Sequence, residues 1–261
     1  MAMKEQRILM GMPVTIEIMG NNANPDDFER LFSYFQYVDD TFSPHKATSE
    51  TTRMNKGLLP LSECSEDMRT IVRLAEQTRR ETNGYFNVFK NGFFNPVGIV
   101  KGWAVYQASE MLRKEGVWDF FLEAGGDIQL SGLNDEGQYW VVGIRNPFQP
   151  QEVVKILRLS DMGIATSGTY VRGQHIYNPL STEDRPIEEI VSVTVLGPNV
   201  YEADRFATAA FAMGTEGIHF IEELSGFEGY LIDKSGLATM TSGFGDYVAP
   251  SAAGPGSRIT S

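Results

Sequence analysis

The sequence predicts an α+β fold, and three observations carry that prediction. Apolar residues recur at helical spacing in some segments and at alternate positions in others. The alternating segments are separated by short Gly, Asn and Asp turns, the spacing of hairpins, so much of the sheet is expected to be antiparallel. No internal repeat occurs, and no G-x-G-x-x-G follows a strand into a helix, so neither a repeat architecture nor a Rossmann fingerprint is present.

The elements follow in order. Val14, Ile16 and Ile18 alternate with Thr15 and Glu17 in a first strand. Asn24 then caps a helix with Pro25 at its first position, Asp26 and Asp27 in its first turn, and Phe28, Leu31, Phe32, Phe35 and Val38 as its buried stripe. Ser43 to Lys56 is polar and reads as a loop. Ser65 caps a second helix that buries Met68, Ile71, Val72 and Ala75 and stops at Gly84. A third helix is expected over Lys101 to Lys114, with Trp103, Ala104, Ala108, Met111 and Leu112 inward. Strands follow at Trp118 to Ala124, Asp127 to Ser131, Tyr139 to Ile144 and Val153 to Leu159. Val191, Val193 and Val195 alternate in another strand; Tyr201 to Met213 and Ile218 to Leu224 read as helices; and Tyr230 to Asp233 pairs with Leu237 to Thr241 in a last hairpin.

A chain of 261 residues that is 42% hydrophobic buries a full core, and a single domain over residues 1–248 is expected. Residues 249–261 are small, polar and Pro/Gly-rich and read as a disordered tail. No apolar run is long enough to span a bilayer, and the first ten residues lack the apolar core of a signal peptide. As it stands the chain is expected in the cytoplasm; an exported lipoprotein could carry the same mature domain behind a removed leader. Net charge of −12 with thinly spread basic residues excludes a nucleic-acid-binding face and leaves an anionic ligand in need of a local arrangement or a cation. The one cysteine, Cys64, excludes an internal disulfide and a cysteine metal cluster and reads as an inert thiol.

Four short constellations place small residues, oxygens and a histidine where a core needs none. Gly98-Ile99-Val100-Lys101-Gly102-Trp103 reads as a loop running into a helix start, where backbone N–H groups and a lysine suit a phosphate, but a glycine loop with a solvated lysine is the competing reading and the one the residues alone favour. Glu123-Ala124-Gly125-Gly126-Asp127 offers a carboxylate at a bend for a ribose or a bridging water, but tight Asp turns are ordinary hairpin chemistry and the residues alone favour the turn. Ala165 to Tyr170, with Thr166, Ser167 and Gly168, precedes His175-Ile176-Tyr177-Asn178-Pro179, and His175 has the unperturbed pKa of a base for a hydroxyl; a structural histidine is the competing reading. Asp204 and Thr208 stand at i and i+4 on a helix, so both oxygens project from one face, which suits a hard cation such as Mg²⁺; a surface Thr–Asp pair is the alternative.

Taken in order, these pieces resemble the ApbE family of FAD:protein FMN transferases, from about Met10 to about Ile232. The resemblance is carried by Met10-Gly11, the Ser-rich loop ending at Asn55, Gly84 to Asn87, Gly98 to Trp103, Ala124 to Asp127, Trp140 to Pro147, Ala165 to Tyr170, His175 to Pro179 and Ala203 to Ala209. It implies an ApbE-like, T-fold-like domain with largely antiparallel sheets and packed helices. It also implies a Mg²⁺-dependent enzyme that takes FAD as substrate, attaches FMN to a threonine of an acceptor flavoprotein through a phosphoester bond, and releases AMP.

Carried over residue by residue, the resemblance implies Mg²⁺ ligands at the Gly98 carbonyl, Asp204 and Thr208, and Lys101 on the pyrophosphate. It further implies Met10, His45, Tyr85, Phe86 and Asn87 around the adenine and ribose, Asn95, Thr166, Ser167 and Gly168 elsewhere on the FAD, and His175 as the catalytic base. The acceptor threonine is expected in an Asp-Gly-x-Ser/Thr-Gly-Ala-Thr-like segment. Asn87, Asn95 and Asn178 stand where the family commonly has aspartate, which keeps hydrogen bonding and removes charge. Two other readings share the same groups: an FAD pyrophosphatase that releases FMN and AMP, and a flavin-binding protein without turnover.

Overall fold

The computed structural model describes residues 2–20, 23–169, 176–181 and 186–250. Its first hairpin, β1 (Met3–Leu9) and β2 (Met12–Ile18), turns through Met10 and Gly11, both at positive φ (52° and 72°), the geometry of a two-residue primed turn. β1 carries Lys4, Glu5 and Arg7 at the sheet edge, and those charges are why its alternation escaped the sequence reading. α1 (Pro25–Phe42) starts as expected: the Asn24 side chain accepts from the backbone and Asp27 reaches back to the Asn24 amide at 3.2 Å, a capping box.

The segment read as a loop, Ser43 to Lys56, contains α2 (Glu50–Asn55). Ser49 caps it, accepting the Thr52 amide at 3.0 Å while donating to the Ser43 carbonyl at 2.6 Å. α3 (Glu66–Glu81) is capped by Ser65 as expected. A short hairpin, β3 (Phe89–Lys90) with β4 (Phe93–Phe94), follows, and Asn55 fastens it by bonding both the amide and the carbonyl of Phe94, at 2.8 and 2.9 Å. α4 (Val97–Lys114) begins four residues earlier than the apolar stripe indicates, so Gly98 lies inside its first turn rather than in a loop before it.

β5 (Phe120–Ala124), β6 (Asp127–Ser131), β7 (Trp140–Arg145), β8 (Val153–Leu159), β9 (Gly163–Gly168) and β10 (Ile190–Gly197) follow. Then come α5 (Val200–Ala212), α6 (Gly217–Glu222), β11 (Glu228–Asp233) and β12 (Ala238–Met240). Among the described residues every strand pairing is antiparallel, and the main sheet runs β1-β2-β5-β6-β9-β10-β11-β12, with β7–β8 as a separate pair. β9 lies in the stretch read only as a polar constellation. It is made of small residues because α5 crosses it closely: a Cβ on Gly163 would sit 2.0 Å from backbone atoms of Asn199 and Val200.

The central strands β5 and β6 are buried on both faces. Phe120, Leu122 and Ala124 of β5 pack with α1, α3 and α4, while Phe121 points the other way, towards Trp140, Val142 and Ile144 of β7. A third apolar cluster joins Val193, Val195 and Leu231 to Phe206, Ala207 and Phe211 of α5. Trp103 is buried against Phe42, ring centroids 5.8 Å apart, and Trp140 donates its indole N–H to the Ser131 carbonyl at 3.1 Å. Cys64 is buried and burial pushes its thiol up, which keeps it in the unreactive form. Ala249, read as the start of a tail, is still attached, its amide donating to the Ile156 carbonyl at 2.8 Å; residues 251–261 lie outside the described residues.

Candidate active site

Where the three apolar clusters meet, the chain encloses a cavity of about 950 Å³, at the upper end of the range for small-molecule sites. Met10 enters from the β1–β2 turn and His45 from the loop before α2. Tyr85, Phe86, Asn87 and Asn95 line it from the segment between α3 and α4, and Gly98 and Lys101 from the first turns of α4. Thr166, Ser167 and Gly168 of β9, Asp204 and Thr208 of α5 and Val142 to Arg145 of β7 also line it. The structure thus brings together every described residue to which the resemblance assigned FAD or Mg²⁺. His175 lies outside the described residues; Ile176 and Tyr177, which follow it, line the same cavity.

The crossing of α4 over α5 sets the polar centre. A Cβ on Gly102 would sit 2.6 Å from the Asp204 Cβ and 2.9 Å from the Val200 carbonyl oxygen, so only glycine allows the two helices this close. That approach lets the Gly102 amide donate to Asp204 Oδ2 at 2.8 Å. In a regular helix the same amide belongs to the carbonyl four residues earlier, that of Gly98. The Gly98 carbonyl therefore competes with Asp204 for its donor and has a lone pair to offer elsewhere. Thr208 is adjacent, its Cγ2 3.5 Å from the Cβ position of Gly98 and its hydroxyl 3.4 Å from that of Ser167.

Carboxylate, hydroxyl and carbonyl oxygens are the ligand types a hard divalent cation selects, so this trio fits Mg²⁺ by donor chemistry. Among the described residues no cluster of three His, Cys, Asp or Glu gathers as a metal site, so a cation here would rest on mixed oxygen donors and water.

Sequence reasoning missed one residue of this centre. Asp127, favoured as a turn former, opens β6 with its side chain directed at α4 and α5 and fully buried. Lys101 Nζ stands 2.6 Å from Asp127 Oδ2 and 4.0 Å from Asp204 Oδ1. Burial, then the neighbouring Asp204 carboxylate, push the Asp127 carboxyl up, and the Lys101 ammonium pulls it back; the 2.6 Å contact is that of an ion pair. No local signal marked it: Gly125 and Gly126 just before it, both at positive φ (56° and 93°), are what a tight turn requires.

Glu123, on the opposite face of the sheet, also lines the cavity, and burial pushes its carboxyl up against the pull of Arg145 and the Gly126 amide. The three asparagines that stand where the resemblance leads aspartate to be expected share one geometry. Asn87, Asn95 and Asn178 each accept, through the side-chain oxygen, the amide two residues on, at 2.9, 3.2 and 2.9 Å. A carboxylate would make the same bond, so the turns are kept while the charge is lost.

A model of the ApbE family matches residues 94–231, more than half of the chain and the whole stretch that carries α4, β9 and α5. The chain belongs to the ApbE family. Among curated relatives it is 40% identical to the FAD:protein FMN transferase of Vibrio cholerae over 45% of this chain and 38% of that protein. It is 31% identical to the protein of the same description from Escherichia coli K12, over 53% of this chain and 42% of that one. The matched stretches thus span about two fifths of the length of these ApbE relatives. The fold extends further. The flavin transferase ApbE structure from Vibrio cholerae superposes with a TM-score of 0.82 at 24% identity, covering 95% of this chain and 99% of that one. The ApbE protein of Thermotoga maritima does so with 0.84 at 20% identity, covering 96% and 100%.

Proposed function

We propose that this chain is a Mg²⁺-dependent FAD:protein FMN transferase, acting as one domain over residues 1–248. The observation that carries the reading is the convergence, in one cavity, of an oxygen trio from Gly98, Asp204 and Thr208 with Lys101 and the residues expected around an adenine nucleotide. The names of the relatives support the same substrate class.

In this reading FAD occupies the cavity with its adenosine half towards Met10, His45 and Tyr85 to Asn87, and with its pyrophosphate towards α4 and α5. A cation held by the Gly98 carbonyl, Asp204 and Thr208 would supply Lewis-acid neutralisation of the pyrophosphate charge. Asp204, held by the Gly102 amide, and Thr208, held near Ser167, keep fixed oxygens on that side, so little reorganisation is required as charge develops. Lys101 adds a positive charge from the α4 side. The acceptor threonine hydroxyl gives its proton to His175 as its oxygen bonds to the FMN-side phosphorus, and the bond from that phosphorus to the bridging oxygen breaks to release AMP. The acceptor is a flavoprotein with a threonine in an Asp-Gly-x-Ser/Thr-Gly-Ala-Thr-like segment. Among the described residues no helix is long and apolar enough to cross a membrane; we place the reaction in the cytoplasm, or outside it if the chain is exported behind a leader.

The test is incubation of the chain with FAD, Mg²⁺ and a domain bearing the acceptor segment, read by mass spectrometry. A mass gain of one FMN on the acceptor, with AMP released, is the expected result. AMP with free FMN and no adduct would make it a pyrophosphatase, and intact bound FAD would leave a binding protein.

A further inference from the structure

Lys101 stands between two buried carboxylates, of which only Asp204 belongs to the proposed cation site. Side-chain exposure is 1% for Asp127, 5% for Asp204 and 13% for Lys101, so the three charges interact with little water between them. Asp204 Oδ2 is already engaged by the Gly102 amide. Oδ1, the oxygen left to face a cation, is the one 4.0 Å from the lysine ammonium. An ammonium and a divalent cation compete for such an oxygen, since each positive charge reduces what the other gains by approaching. The lysine is instead drawn to Asp127, at 2.6 Å.

Asp127 is placed for this by its strand. It pairs across the sheet with Ala124, a residue too small to fill the space beside it, and its Oδ1 takes the Thr166 amide at 3.4 Å, leaving Oδ2 for Lys101. Stability alone does not explain the pair, because a buried ion pair is often replaced by apolar groups at no cost.

We propose that Asp127 is a positioning residue whose carboxylate holds the Lys101 ammonium away from Asp204 and so keeps Asp204 Oδ1 open to the divalent cation. The inference rests on the reading of Asp204 as a cation ligand. Lys101 still serves the substrate phosphates, but from a position that Asp127 sets.

The experiment is direct cation binding to the full chain without FAD, with Mn²⁺ followed by electron paramagnetic resonance and Mg²⁺ by calorimetry. It compares the parent chain with Asp127→Asn, Lys101→Met, the double variant and Asp204→Asn, each checked for fold by circular dichroism. Asp127→Asn should weaken Mn²⁺ binding by about tenfold or more, because the freed ammonium moves to Asp204. Lys101→Met should bind more tightly than the parent, and adding Lys101→Met to Asp127→Asn should restore most of the loss. A merely structural Asp127 would give no such rescue. Unchanged binding in Asp127→Asn, a double variant as weak as Asp127→Asn, or a Lys101→Met that binds no more tightly would each overturn the proposal. Lys101→Met keeps Asp127 in place, so its result stands even if Asp127→Asn does not fold. The cation reading itself fails, and the inference with it, if the parent shows no saturable binding or Asp204→Asn binds equally well.

Discussion

Asp204 carries two duties at once, as acceptor for a buried amide and as proposed cation ligand, and the two separate cleanly by substitution. Asp204→Asn keeps an oxygen for the Gly102 amide and removes the charge. Mg²⁺-dependent FAD turnover should fall by about a hundredfold or more, with the melting temperature little changed; undiminished turnover would remove Asp204 from the site. Met10 presents a different balance. Its φ of 52° is costly for a side chain that lines the cavity. Met10→Gly should relieve that strain, holding or raising stability, while weakening FAD binding; equal affinity in a binding titration would mean Met10 contributes nothing to the ligand. Glu123 sets a pH dependence. Its raised carboxyl contributes fully to stability below the ordinary glutamate range, and that contribution is lost as pH rises through the raised value. Glu123→Gln should therefore raise the melting temperature over the parent near pH 8 and leave it nearly unchanged at about pH 4. Both halves of that comparison come from thermal melts. At this scale the sequence was legible where residue type announces chemistry, as at Asp204, Thr208 and Lys101. Asp127 was not legible, because an aspartate after two glycines is also what an ordinary turn requires, and only the sheet register shows which way it faces.

The decisive element contact is the crossing of α4 and α5 at Gly102. Gly102→Ala gains helix propensity of about 1 kcal/mol but places a methyl group 2.6 Å from the Asp204 Cβ, and overpacking of that kind costs about 1–3 kcal/mol. The variant should be less stable in chemical denaturation and should bind Mn²⁺ more weakly, since the helices that hold Asp204 and the Gly98 carbonyl must part. Full stability with weakened binding would mean the crossing is looser than the geometry indicates. α5 is held from its other side by Arg205, buried, paired with Glu81 of α3 and with Glu202, and stacked 3.9 Å from the Phe206 ring centroid. Elements whose ends are written in side chains were legible: the Asn24 and Ser65 caps located α1 and α3. β1 and β9 were hidden for opposite reasons, the first by edge charges and the second by small residues that a close-packed helix demands. α2 was hidden because one turn and a half of polar residues shows no periodicity, although Ser49 offered its cap.

The α+β class was visible in the two periodicities, but strand order was not, since the pairing of β6 with β9 and the separation of β7–β8 from the main sheet arise from packing that no local pattern encodes. The cavity is a property of the whole molecule, lined by residues from the β1–β2 turn to α5 and by β7 of the separate β7–β8 pair. Ligand binding should consequently stabilise the entire fold. At a free concentration a hundred times its dissociation constant, FAD with Mg²⁺ should raise the melting temperature by about 5–10 °C. Either component alone should give less, and equal shifts with and without Mg²⁺ would uncouple the cation from the nucleotide. The same enclosure has an optical consequence. Trp103 packs on Phe42, a residue of the cavity wall, and Trp140 begins β7, which also lines the cavity, whereas Trp118 is 60% exposed. Two buried indoles thus stand beside a space into which a flavin would bring an absorption band overlapping their emission. Resonance energy transfer would dim their ultraviolet fluorescence as the cavity fills, so this chain carries its own label-free gauge of occupancy.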